Sequence, residues 1–186
     1  CSLDMHVKLK LRSELPNILR GCNASGLMVT HDPEEAMSIC DKVAVMNEGE
    51  IHQIDTPINL LNNPKTTFVS SFILGNNIIN LKKTETSFMS CLGEINSSGL
   101  LNNTHIKRMS ISPKFISIKK SESGNASVIS KEFFGEFFIY KVSINDNILR
   151  VRTNINNLLN NGDKCSLSIN KNSYYFLYPG AHKVHI

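Results

Sequence analysis

"LMVTHDPEEAM", residues 27 to 37, sets a continuous apolar run directly against a polar cluster that holds one histidine. The run "GLMVT" (26–30) has the composition of a short strand buried on both faces of a parallel sheet. After it, Asp32 is a good N-cap, Pro33 takes the first helical position and Glu35 completes a D-x-x-E capping box, so a helix is predicted from residue 33. A side chain just past the C-terminal end of a parallel strand lies on the ligand-binding edge of an α/β sheet. His31 holds that place, and the N–H groups and dipole of the helix start beside it favour an anion such as phosphate. His31 is therefore a candidate phosphate contact, with a hydrogen-bonded structural histidine as the alternative. Glu34 and Glu35 resemble an acid pair, but capping and solvation account for them.

Upstream, "HVKLKLRSELPNIL" (6–19) places Val7, Leu11, Leu15 and Ile18 on one helical face, with Pro16 as a point of kinking. Downstream, "DKVAVM" and "EIHQI" read as strands around the turn "NEGE", where Gly49 supplies the permissive backbone. Thr56 and Pro57 repeat the cap-then-proline pattern before "INLLNN", and "TTFVSSFIL" predicts another short amphipathic helix. Strand, loop, helix, hairpin and two short helices form the tail of an α/β domain.

From about residue 85 the chain turns to Ser, Asn, Ile, Val and Phe in short alternating runs. "HIKRMSIS", "FISIKK", "SVISKEFF", "FFIYKVSI", "ILRVRT", "CSLSIN" and "YYFLYP" are strand-like and separated by turn signals, the pattern of a small sandwich or barrel. "FFGEFF" (133–138) reads as strand, bulge and strand with one buried face. "GAHKVHI", with His182 and His185, reads as an exposed tail. The expected boundary lies at residues 80/81: an α/β portion over 1–80 and a β-rich module over 81–186. Charge shifts with it, from 8 Lys+Arg against 11 Asp+Glu (net −3) in residues 1–99 to 12 against 5 (net +7) in residues 100–186.

At 186 residues and 41% hydrophobic content the chain can bury one core or two small ones. No run of 18 or more apolar residues occurs, and charges interrupt the N-terminal stretch, so neither a spanning helix nor a signal peptide is predicted. The expected location is cytosolic, or on a membrane through partners. The 5 cysteines are scattered with no C-x-x-C spacing, and the 6 histidines form no H-x-x-x-H pair, so no disulfide framework and no metal site is expected. The chain starts at Cys1 and reads as the C-terminal piece of something longer.

At this point the residues carry a resemblance. Ser2-Leu3-Asp4, followed by "GLMVTHDPEEAMSICDKVAVMNEGEIHQIDTPINLLNNPKTTFVSSFI", closely resembles the end of the nucleotide-binding domain of ABC importer ATPases that serve ferric iron, sulfate, polyamines and sugars. The resemblance implies that His31 is the switch histidine at the ATP γ-phosphate, a catalytic residue that positions the attacking water or stabilises transition-state charge, and that Asp4 belongs to the D-loop coupling two ATP sites, both counted among the nucleotide-binding residues. Catalysis of this kind rests on positioning and electrostatics. No G-x-x-x-x-G-K-[ST], "LSGGQ"-like signature, glutamine loop or Asp-Glu-ending Walker B strand occurs in the chain, so ATP and Mg would be held through a missing N-terminal part. Alone, the chain is expected neither to bind ATP well nor to hydrolyse it.

"KRMSISPKFISIKK" and the hairpin and closing strand after it resemble the TOBE-like, OB-like regulatory module of the same importers, with Ser112-Pro113-Lys114 where Arg-Pro-Glu usually stands. The implied partners are a second ATPase subunit, transmembrane permease subunits and, indirectly, a substrate-binding protein, at the cytoplasmic face of the membrane. Nucleic acid is not expected, and the implied solute leans to ferric iron ahead of sulfate, polyamine or sugar. The alternative reading is an inactive remnant, or a stand-alone β-rich module binding a ligand or nucleic acid.

Overall fold

A computed structural model describes residues 5–95, 105–180 and 182–185, with side chains from residue 13 onward. The chain divides into two compact units, Cys1–Lys65 and Thr66–Ile186. The division falls ahead of the composition shift because residues 66–80 pack with the β-rich part, as described below.

The first unit contains α1 (Met5–Gly21), α2 (Pro33–Ile39), the hairpin of β1 (Val43–Asn47) and β2 (Glu50–Asp55), and α3 (Pro57–Asn62). The hairpin is antiparallel, and both Glu48 (φ 49°) and Gly49 (φ 81°) take left-handed backbone at its turn. Thr56 caps α3 by accepting from Asn59 N at 3.3 Å, with Pro57 at the first helical position.

Two expectations fail in this unit. Residues 24–30 form no strand, and Leu27 and Val29 are 96% and 92% exposed. A strand exists only through its ladder, and among the described residues the sheet of this unit is the β1–β2 pair, so no strand ladder holds "GLMVT" in place. Every described strand pairing is antiparallel, so among the described residues the parallel layer expected of an α/β domain is not seen. Likewise the predicted apolar face of α1 is not buried at the positions described, Leu15 and Ile18 both being exposed.

The second unit is β-rich. After α4 (Thr67–Leu74) come β3 (Asn77–Asn80), β4 (Lys82–Lys83), β5 (Phe88–Ser90), β6 (Gly93–Ile95), β7 (Arg108–Ile111), β8 (Ile116–Lys120), β9 (Ala126–Phe133), β10 (Phe137–Ile144), β11 (Asn147–Asn154), β12 (Lys164–Ile169), β13 (Tyr174–Tyr178) and β14 (His182–His185). They form a five-stranded sheet β11-β10-β9-β12-β8, a four-stranded sheet β14-β13-β7-β3 and a small sheet β4-β5-β6. One core joins all three, with Phe88, Met109, Tyr140 and Leu177 inaccessible to solvent.

Two polar devices lock this unit. The Asn77 amide donates to Arg150 O at 2.8 Å and accepts from Arg150 N at 2.7 Å, so one side chain stands in for a strand and ties β3 to the outer edge of β11. In the second, the buried hydroxyls of Ser70 (α4) and Ser110 (β7) bond to each other, and Asn76, one residue earlier in the chain than Asn77, donates to them at 3.1 and 3.0 Å. Tyr178 adds a hydrogen bond with Ser70, and burial pushes its phenol up to about 12. These contacts place α4 and β3 in the second unit.

The strands expected from alternation are present as β7 to β13. The "tail" is not one: Tyr174 pairs with His185 and Leu177 with His182, and Val184 is buried. Its brevity and polar flanks hide an edge strand that needs β13 to form.

Candidate functional site

His31 sits in the bend between the unpaired residues 24–30 and α2, with its side chain exposed. Asp32 takes extended backbone (φ −98°, ψ 106°), and its carboxylate accepts from Glu34 N at 2.9 Å and Glu35 N at 3.3 Å. Thr30 completes the cap: its hydroxyl donates to Glu35 Oε2 at 2.7 Å while its oxygen accepts from Asp32 N at 3.1 Å. The expected capping box therefore runs through Thr30, which bridges the two acids' ends of the turn.

This geometry corrects the predicted anion site in one respect. The N–H groups that begin α2 already serve the Asp32 carboxylate, so the helix start is no open phosphate cradle. What remains is one exposed imidazole on a fixed turn, able to donate a single hydrogen bond to an oxyanion presented from outside. Asp4 lies outside the described residues. Burial first, then Asp41 and Glu35, pushes the Cys40 thiol up, which disfavours its thiolate.

Further along the chain, Gln53 fixes the stretch "QIDTP" of β2 and the turn after it. Its side chain is buried at 3% exposure, donates to Asn63 O at 3.1 Å and accepts from Lys65 N at 2.8 Å, closing the chain after α3 onto β2. Asp55 caps from the same strand, accepting from Asn59 Nδ2 at 2.7 Å and Thr56 N at 2.9 Å, and these bonds hold its carboxyl below the ordinary value. The role of Gln53 went unread in the sequence, since in the mixed strand "EIHQID" nothing marks the glutamine as the buried position.

No protein-family model matches the chain. Over 78 residues it is 47% identical to the spermidine/putrescine import ATP-binding proteins PotA of Bacillus cereus and Bacillus anthracis, covering 42% of this chain and 24% of each of those proteins. The protein of the same name from Trichormus variabilis is 43% identical over 77 residues, 41% of this chain and 20% of that protein. The chain thus spans about a quarter of the length of these curated relatives. The likeness is to ATP-binding subunits of importers, and the solutes in their names are polyamines.

Proposed function

We propose that this chain is the C-terminal part of the ATP-binding subunit of an ABC importer, and that its solute is a polyamine. The observation that carries this reading is the 47% identity to the spermidine/putrescine import subunits, taken with the His31 turn. The lean to ferric iron has no support among these relatives, and polyamine, one of the alternatives read from sequence, replaces it.

In this reading His31 donates to the γ-phosphate of ATP, and the Thr30–Asp32–Glu35 cap keeps the turn in place as the imidazole engages. One exposed histidine fits one phosphate oxygen and no more, so the rest of the triphosphate and its Mg fall to residues with Walker-type chemistry, which this sequence lacks. Asp4 would take part in coupling the two ATP sites of paired subunits. The β-rich module, residues 81–186 by sequence, is the TOBE-like regulatory part. Permease subunits would hold the assembly at the cytoplasmic face of the membrane. Among the described residues no helix is long and apolar enough to cross it.

The test is a chimaera in which the N-terminal part of a spermidine/putrescine import ATP-binding protein, including its Walker loops, is joined to this chain. Expressed in cells lacking that subunit, it is expected to restore uptake of labelled spermidine, and His31→Ala is expected to abolish the uptake. A chimaera that is folded and membrane-bound yet restores no spermidine uptake would contradict the proposal.

A further inference from the structure

The 12 lysines and arginines of residues 100–186 are scattered in sequence, but strand register gathers five of them on one sheet face. In the five-stranded sheet the residues facing away from the core lie in rows across the strands. Lys164, Ser127, Ser143 and Ile148 form one row, each directly paired with the next. Ser130, Lys141 and Arg150 form a second, and Lys119 pairs with Ser166 at the far edge. The residues alternating with them, among them Cys165, Val142, Leu149 and Ile118, are buried, which fixes the outward direction of the rows. The result is a face of serine hydroxyls with Lys119, Lys164, Lys141, Arg150 and Arg152. Its acid is Glu132, already paired with Lys141 at 3.3 Å.

We propose that this face is a docking surface for an acidic protein partner. Arg152 stands over the Phe137 ring, its Cζ 3.7 Å from the centroid, and a guanidinium so braced suits a carboxylate partner. The backbone of Arg150 is fixed by Asn77, so the two guanidinium groups rise from a rigid edge. Ile148, 67% exposed at the end of its row, supplies an apolar anchor beside the charges. Arginine, aromatic and apolar contacts of this kind are the substance of protein interfaces. The middle of the face holds serine and lysine and no aromatic ring, so unstacked bases find no platform there. A second copy of this face would meet it with like charge. The inference does not depend on the transport reading.

The experiment uses the full chain and labelled poly-L-glutamate, followed by fluorescence anisotropy at low salt. K141E/R150E/R152E is expected to weaken binding by at least about tenfold, while K82E/K83E/K171E, an equal charge change on exposed residues elsewhere, is expected to change it by less than about twofold. Should the first triple unfold, the pair K119E/K164E at the opposite edge gives the same reading with no bulky side chain disturbed. Equal losses in both triples would overturn the proposal, since net charge alone would then explain binding. So would tighter binding of an oligouridylate or of phosphatidylglycerol vesicles through the same residues, or no binding of poly-L-glutamate at all.

Discussion

At the residue scale, the His31 turn separates position from stability. An exposed imidazole carries little folding energy, and surface substitutions usually stay within about 0.5 kcal/mol. His31→Ala is therefore expected to leave the thermal midpoint unchanged while removing activity in the joined protein. Asp32→Ala frees two helix N–H groups and is expected to cost about 1 kcal/mol of first-unit stability, read by urea denaturation with far-UV circular dichroism. Asp55 gives the acid side. Its carboxyl lies below the ordinary value of 3.8, so its contribution is present above that value and is lost as pH falls further. Asp55→Asn is expected to flatten the acid limb of the melting profile.

The cap was legible because Asp, Pro and Glu at fixed offsets have one efficient use. The relay through Thr30 was not, because a hydroxyl's partner depends on where the turn carries it. "GLMVT" was misread for a related reason: an apolar run states that burial is favourable, but the neighbour that buries it lies elsewhere.

At the element scale, the amide clamp of Asn77 and the approach of Gly124 to β12 are the sharpest tests. A Cβ at Gly124 would stand 2.1 Å from Cys165 O, a backbone atom that cannot swing aside, so Gly124→Ala is expected to destabilise the second unit by about 1–3 kcal/mol. Asn77→Ala strips Arg150 of both backbone partners and is expected to cost a similar ~1–3 kcal/mol. Both are measured by circular dichroism, the chain having no tryptophan. Burial also pushes the Tyr175 and Tyr178 phenols up to about 12 from 10.0. A group raised in the folded state contributes stability that is full below its unfolded value and lost as pH rises through the folded one. Melting is therefore expected to fall between pH 10 and about 12, and Tyr178→Phe to reduce the fall.

Strands such as β11 could be read from alternation, with Leu149 and Val151 buried between exposed Ile148, Arg150 and Arg152, whereas β13 was legible as a continuous apolar run, Tyr175 to Tyr178 all being buried. The short strands β3 to β6 could not, because runs of two to four residues among Asn and Ser hold too little periodicity. "FFGEFF" was read with one buried face. It forms instead the β9–β10 turn around Gly135, with Phe133 and Phe134 60% and 51% exposed and Phe134 stacked on Phe137 at 5.3 Å.

At the scale of the whole molecule, the two units account for different parts of the reading. The first carries most of the stretch that resembles importer ATPases, the His31 turn included, and its apolar Leu27 and Val29 stay in solvent. The second carries a closed core and a cationic sheet face that no linear inspection could find, since its residues come from five strands and meet only through register. The charge shift along the chain was visible in sequence, but its clustering on one face was not.

The most direct measurement is ATP turnover by the purified chain, alone and mixed with a separately made N-terminal part of a spermidine/putrescine import ATP-binding protein carrying the Walker loops. Neither piece alone is expected to turn ATP over, whereas mixing is expected to give turnover that His31→Ala removes. A mixture in which both pieces are folded and associated, yet hydrolyses ATP equally well with and without His31, would contradict this expectation.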